Sequence, residues 1–291
     1  MAREYPIIAV TGSSGAGTTT IKDAFARLFT RQAVNAAFVH GDSFHRYTRA
    51  QLEKLLTAHP DQHRSLSHFA LEANLLERLE QLFKDYSATG TGNYRQYIHA
   101  EDIEQVEAGF QVGTFTPWEA LPEGTDLLLY EGLHGGLVTE NCNLAQYVDL
   151  LIGVAPSINL EWIQKIDRDT RLRGYSQEAV IDTIHSRMED YLRYILPQFS
   201  RTHINFQRVP IVDTSNPFEE YRDVPTADES LVVIHFRGSQ TIDFHYLLTM
   251  IKDSFMSRAH TLVIPGAKMP LALELIMLPR IQEILDGRRF K

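Results

Sequence analysis

The sequence predicts an α/β protein built on a doubly wound, mainly parallel sheet. Three observations carry that expectation: the chain opens as strand, loop, helix and strand; two later runs, Leu127–Tyr130 and Val148–Ile152, are continuously apolar in the way of strands buried on both faces; and strand-like and helix-like segments go on alternating afterwards. With 291 residues, 44% hydrophobic and 22% charged, the chain is long enough for one large core. Its glycines and prolines follow no period, which excludes collagen-like and broadly disordered classes.

Taken in order, Pro6-Ile7-Ile8-Ala9-Val10 reads as the first strand, a Gly-rich turn follows, apolar positions from Ile21 to Phe29 recur at helical spacing, and Ala36–Val39 is a second strand. A βαβ opening of this kind implies a parallel crossover. Between residues 43 and 124 the apolar pattern weakens, with one helix expected over Leu71–Phe83. This stretch reads as an insertion over a site, within a single domain spanning 1–291. The two apolar strands belong at the sheet centre. Helices are expected at Leu160–Leu172 and Gln177–Leu196, the second capped by Ser176 and stopped by Pro197. Strands at Val209–Val212, Leu231–Phe236 and Thr261–Ile264, with helices at Phe244–Phe255 and Leu271–Leu285, complete the alternation.

Lys and Arg number 28 against 37 Asp and Glu, a net charge of −9 that argues against a nucleic-acid binder and against a protein held on a membrane by a basic face. An anionic ligand must therefore be met by a local cluster. Cys142 is the single cysteine, so no internal disulfide forms, and no Cys/His spacing suits structural zinc. The expected compartment is the cytoplasm, since no signal-peptide pattern and no membrane-spanning run is present.

Two segments carry chemistry. The first is Gly12-Ser13-Ser14-Gly15-Ala16-Gly17-Thr18-Thr19-Thr20, lying between a strand and a helix, where consecutive backbone N–H groups and a helix N-terminus cradle phosphate. Gly12, Gly17 and Thr19 fit the phosphate-loop pattern, but Thr18 stands where that pattern has its lysine. A replacement cation is needed. A tight turn without a ligand is the plainer reading, and nine residues of only Gly, Ser, Ala and Thr weigh against it. A dinucleotide fold would also use a Gly-rich turn, with Asp42 as a ribose-binding acid, but the glycine spacing does not match.

The second segment runs from Lys165 to Gly174, where helical spacing brings Lys165, Arg168 and Asp169 together, with Arg173 just beyond. Alone it would read as a solvated charged helix face. Beside a phosphate loop that lacks its lysine, it is the densest basic cluster available to stabilise a phosphoryl-transfer transition state. Asp42 ends a parallel strand, where ligands of open α/β sheets collect, and its carboxylate can take a hydroxyl proton; a turn-capping Asp is the alternative. Glu131 ends the apolar strand Leu127–Tyr130 as an acid able to reach Mg²⁺, or as a solvated strand-end acid.

These residues resemble a family. Lys165-Ile166, Arg168-Asp169, Arg173-Gly174, Ser176 and Glu178, the lysine-free loop, Gly41-Asp42-Ser43-Phe44-His45-Arg46 and Tyr130-Glu131-Gly132-Leu133-His134-Gly135 look like the phosphoribulokinases in their short proteobacterial form, which are related more distantly to uridine kinases. The resemblance covers most of the chain and implies a P-loop kinase fold with a lid or substrate insertion. It further implies ATP- and Mg²⁺-dependent phosphorylation of the C1 hydroxyl of ribulose 5-phosphate, with residues 12–20 binding ATP and Asp42 as the base. By the same resemblance Lys165 and Asp169 are catalytic, His45, Arg49, Arg168 and Arg173 contact the sugar phosphate, and Thr19, Glu131 and Asp169 serve the metal. His68, His99 and His134 could line the pocket or simply be loop residues, the plainer reading, and Trp118 and Trp162 are expected to be packing residues.

The same likeness implies a homo-oligomer, dimers assembled into a ring, with an NADH or AMP effector site near Arg258. His235 stands where a second effector arginine is expected, so anionic effectors should bind more weakly. Ala16 replaces the loop cysteine of thioredoxin-regulated members, so no disulfide switch is expected, and Glu53 stands where a substrate lysine would be, with Lys54 adjacent. Two other readings remain open at this level: a kinase of another small sugar phosphate or a nucleoside, and a nucleotide-binding regulator without catalysis.

Overall fold

A computed structural model describes residues 4–13, 18–58, 67–100, 102–220, 222–238 and 242–289, with the side chains of 18–20 and 288–289 left out. Strand β1 (Ile7–Gly12) leads to helix α1 (Thr18–Gln32) and strand β2 (Ala36–His40), which ends in a short 3-10 turn over Gly41–Phe44. Helices α2 (Arg49–Ala58) and α3 (Leu76–Thr89), the short ladder of β3 (Asn93–Tyr94) with β4 (Glu119–Ala120), and helix α4 (Ile103–Glu107) occupy the stretch where the apolar pattern weakens. Strands β5 (Leu127–Gly132) and β6 (Leu150–Val154) follow, then helices α5 (Ile158–Arg171) and α6 (Gln177–Asp190). The C-terminal part holds β7 (Ile204–Pro210), β8 (Ser230–Phe236), α7 (Phe244–Met250), β9 (Phe255–Arg258), β10 (Thr261–Pro265) and α8 (Met269–Arg289).

The main sheet has eight strands in the order β2-β5-β1-β6-β7-β8-β10-β9. From β2 to β7 the strands pair in parallel, and from β7 to β9 the pairs are antiparallel. The mainly parallel, doubly wound expectation therefore holds for the half that carries the loop and the site. Strand β1 is buried along its whole length because both faces are covered. Ile8 and Val10 pack into a cluster with Phe25 and Leu28 of α1 and Leu273 and Ile276 of α8, while Ile7 and Ala9 face Leu79, Leu82 and Phe83 of α3. The alternation of one strand thus builds two core layers.

Several elements depart from the expected bounds. The helix expected at Leu71–Phe83 runs Leu76–Thr89, because Asn74 spends its amide on the carbonyls of His68 and Ala70 and holds the chain in a turn there. The helix expected at Gln177–Leu196 stops at Asp190 and continues as a π-helical turn over Tyr191–Ile195 and a 3-10 turn over Leu196–Ser200, with Pro197 at the start of that last turn. Phe244–Phe255 divides into helix α7 and edge strand β9. Among the described residues no helix is long and apolar enough to cross a membrane.

The carboxyl ends of β1, β5 and β2 come level, since Glu131 pairs with Val10 on one side and His40 on the other. One residue further on, the chains almost touch. A Cβ placed on Gly132 would lie 2.7 Å from the Gly41 Cα, and one on Gly41 would lie 2.9 Å from the Gly132 Cα. Backbone cannot give way as a flexible side chain can, so both positions require glycine. Gly132→Ala is expected to lower Tm by about 3–10 °C, from an overpacking cost of about 1–3 kcal/mol. Thermal unfolding of parent and variant checks this.

Candidate active site

Asp42 sits in the turn that ends β2, and each of its oxygens faces an imidazole. His45 Nε2 lies 3.1 Å from Oδ1, and His99 Nε2 lies 3.2 Å from Oδ2. The other nitrogen of His45 is 2.9 Å from Asn74 Oδ1, an acceptor whose identity is fixed because the Asn74 amide donates elsewhere. Both nitrogens of His45 therefore face acceptor oxygens, which holds the ring in place between Asn74 and the Asp42 carboxylate. Burial alone would raise the Asp42 pKa, but His45 and His99 outweigh it and hold the group well below its ordinary value. Asp42 is an oriented anion that keeps lone pairs free for a further donor.

The turn itself is clamped. Arg95 donates to the carbonyls of Ser43 at 2.9 Å and His45 at 2.6 Å, with its guanidinium over the rings of Phe115 and Trp118. Trp118 also packs edge-on against Phe44, and Trp162 stacks on Phe218, so both tryptophans pack as expected. His40, the last residue of β2, accepts the Asp42 backbone N–H on Nδ1 and donates from Nε2 to Glu131 at 2.8 Å, joining the two acids of the strand ends. Arg49 opens α2, and its charge and hydrogen bond bear on Tyr97, whose ring packs on His99 and His45.

On the other side of the site, α5 presents Lys165 and Asp169. Asp169 is buried and carries three cations: Lys165 Nζ at 2.5 Å on Oδ2, and Arg168 at 2.9 Å and Arg173 at 3.2 Å on Oδ1. Three positive charges on one carboxylate leave two in excess, a surplus suited to phosphate. Burial and the nearby Arg187 charge pull the Lys165 pKa down to about 8 against the attraction of Asp169. Glu131 is a buried strand-end carboxylate of the sort that holds Mg²⁺ together with phosphate oxygens, and it fits such an ion. Asp169 is a counter-ion in this arrangement. The ligand atoms of His40, Asp42 and His99 also lie within 4.8 Å of one another, but two imidazoles do not suit Mg²⁺.

Of the loop, Gly12 and Ser13 are described, at the end of β1; Ser14, Gly15, Ala16 and Gly17 lie outside the described residues, as do the side chains of Thr18, Thr19 and Thr20. Arg258 is exposed on β9, seven strand positions from β2 and so roughly 30 Å from Asp42. His235 bonds Thr261 on the neighbouring strand.

His68, His99 and His134 all lie in loops, and all three belong to the site or its support. His99 holds Asp42, His68 stacks on His45 at a ring separation of 4.2 Å, and His134 is buried and donates to the Phe69 carbonyl at 3.1 Å. Their spacing in the chain gives no periodic signal, so they could not be grouped from sequence. Glu161 was open to discovery: it lies four residues before Lys165 and eight before Asp169, on one stripe of α5, and is 6% exposed.

The sequence profile of the phosphoribulokinase/uridine kinase family matches residues 7–215. The chain belongs to that family. The chromosomal phosphoribulokinase of Cupriavidus necator is 56% identical over 290 residues, covering 99% of both chains, and the probable phosphoribulokinase of Escherichia coli K12 is 55% identical over the full length of both. The solved phosphoribulokinase from Rhodobacter spheroides superposes with a TM-score of 0.89 at 48% identity, over 98% of this chain and 99% of that one. The protein is thus an ATP-dependent kinase with the P-loop kinase fold of this family.

Burial pulls the His134 pKa down to about 4, against the hydrogen bond to Phe69. Its folded value lies below its unfolded value of 6.5, so between these two pH values the unfolded chain binds the extra proton. The stability is intact above pH ~6.5 and is lost as the pH falls toward ~4, by on the order of 3 kcal/mol from this residue. His134→Gln keeps a donor for Phe69 without titrating. Urea unfolding at neutral and acid pH should show a smaller acid loss in that variant than in the parent.

Proposed function

We propose that the protein transfers the γ-phosphoryl group of ATP to the C1 hydroxyl of D-ribulose 5-phosphate, giving ribulose 1,5-bisphosphate and ADP. The observation that carries this reading is the Asp42 carboxylate, oriented by His45 and His99 at the end of a parallel strand that lies two places from β1, the strand that leads into the Gly-rich loop. The names of the full-length relatives supply the acceptor. A switch protein without catalysis would have no use for an anion so held.

In this reading the C1 hydroxyl donates to Asp42, which takes its proton as the oxygen forms a bond to the γ-phosphorus and the bond to the β-phosphate oxygen breaks. Residues 12–20 cradle the ATP phosphates. Lys165 replaces the missing loop lysine and meets the charge that grows on the leaving oxygen. Arg168 and Arg173, with His45 and Arg49, receive the sugar phosphate, whose two negative charges match the surplus around Asp169. Glu131 and the Thr19 hydroxyl would hold Mg²⁺, joined by Asp169 once phosphate draws off its arginines; when bound, the ion neutralises phosphate charge. Residues 43–124 act as the substrate-side insertion of a single domain.

The chain acts in the cytoplasm as a homo-oligomer, dimers building a larger ring, and an NADH or AMP effector would meet Arg258 at the far edge of the sheet. Cys142 has no part in control: burial and the acids Glu80 and Glu77 push its thiol up to about 12, so it stays protonated.

The direct test is an ADP-release assay with ATP and Mg²⁺ across ribulose 5-phosphate, other pentose phosphates and uridine; turnover highest with another acceptor would replace this one. Asp42→Asn should lower kcat by at least ~10²-fold with nucleotide affinity little changed, the size expected for a lost base. A loss under about tenfold would remove Asp42 from that role. Lys165→Met should reduce kcat far more than it weakens nucleotide binding, and a rise in the KM for ATP alone would make Lys165 a ground-state ligand.

A further inference from the structure

Glu161 is a carboxyl group enclosed at the base of the phosphate loop, and nothing in the proposed transfer uses it. It comes from the first turn of α5, four residues before Lys165, and is 6% exposed. Two polar groups from other elements meet it. Tyr191, at the π-helical turn after α6, points its hydroxyl at Glu161 Oε2 from 3.5 Å and is itself buried. Ser13, the first residue past β1, is 2% exposed; its hydroxyl makes no well-formed hydrogen bond to any described residue, yet it bears directly on the Glu161 carboxyl. A buried hydroxyl and a buried carboxyl left this loosely matched are costly unless a further state of the molecule pairs them.

We infer that Glu161 is a positioning residue of the phosphate loop: in its neutral form it bridges Ser13 and Tyr191 and so fixes the end of β1 relative to Lys165 on α5. The inference rests on the reading that the loop binds nucleotide phosphates and that Lys165 acts on them. Charge decides the form. Lys165 already has its counter-ion in Asp169, so Glu161 is not needed as an anion. The groups that face it are Ser13 from the loop, Tyr191 from the turn after α6 and Lys165 from its own helix. Burial lifts its pKa to about 7 against hydrogen bonds from Ser13 and Tyr191 and the charge of Lys165. Phosphates arriving in the loop add negative charge close by and drive the carboxyl to its protonated form. Nucleotide binding near neutral pH therefore takes up a proton at Glu161. The neutral carboxyl can then accept from one hydroxyl and donate to another.

The test compares the full-length protein with Glu161→Gln and Glu161→Ala. Calorimetric titration with MgADP at pH 7, in buffers of different ionisation enthalpy, counts the protons taken up. The parent should take up more than Glu161→Gln by up to about half a proton. Glu161→Gln, a neutral group of the same shape, should keep kcat and the KM for ATP within about twofold, whereas Glu161→Ala should raise the KM for ATP by about tenfold with the KM for the acceptor unchanged. Equal proton uptake in parent and Glu161→Gln overturns the inference, as does a Glu161→Gln variant that loses more than about tenfold in kcat, since the anion would then be the working form. If Glu161→Ala does not fold, the Glu161→Gln comparison decides alone. A parent that binds no MgADP would overturn the reading of the loop itself, an outcome distinct from either.

Discussion

Everything in the site hangs on how closely β2 and β5 approach at their carboxyl ends. Gly41 and Gly132 leave no room for a Cβ between them. That contact sets Asp42 two residues beyond one strand and Glu131 one residue before the end of its neighbour, and His40 then joins the two through both ring nitrogens. The acid that would take the hydroxyl proton and the acid that would hold the metal are thus fixed by backbone geometry. Arg95 secures the turn from the opposite side by bonding two of its carbonyls, which a flexible loop could not exploit.

The electrostatics divide into two halves facing each other. Around Asp42 the partners are imidazoles, which orient a single anion and leave it lone pairs. Around Asp169 they are an ammonium and two guanidiniums, which exceed the charge they surround and would welcome phosphate. A phosphoryl group passing between an acceptor hydroxyl and a nucleotide needs both: a proton acceptor on one flank, and fixed cations on the flank where charge accumulates. Burial sharpens the contrast. It depresses Lys165, lifts Glu161 and keeps His134 neutral, so the groups around the site are tuned by their surroundings more than by their type.

The sequence by itself determined the alternation of strands and helices, the Gly-rich loop between β1 and α1, the two strand-end acids and the basic stripe on α5. These are local facts: a strand buried on both faces must be continuously apolar, and helical spacing alone brings Lys165, Arg168 and Asp169 together. Only the tertiary structure decided that His99, more than fifty residues past Asp42, returns to hold its second oxygen, that His68 stacks on His45, and that Glu161 meets the start of the loop and a tyrosine thirty residues on. It also moved the start of α3 to Leu76 and broke the helix expected to reach Leu196, because side-chain bonds to the backbone and a proline override periodicity. The physical reason is the same in each case: a period along the chain records which face of an element is buried, whereas contacts between loops of different origin depend on where the sheet has already placed their ends.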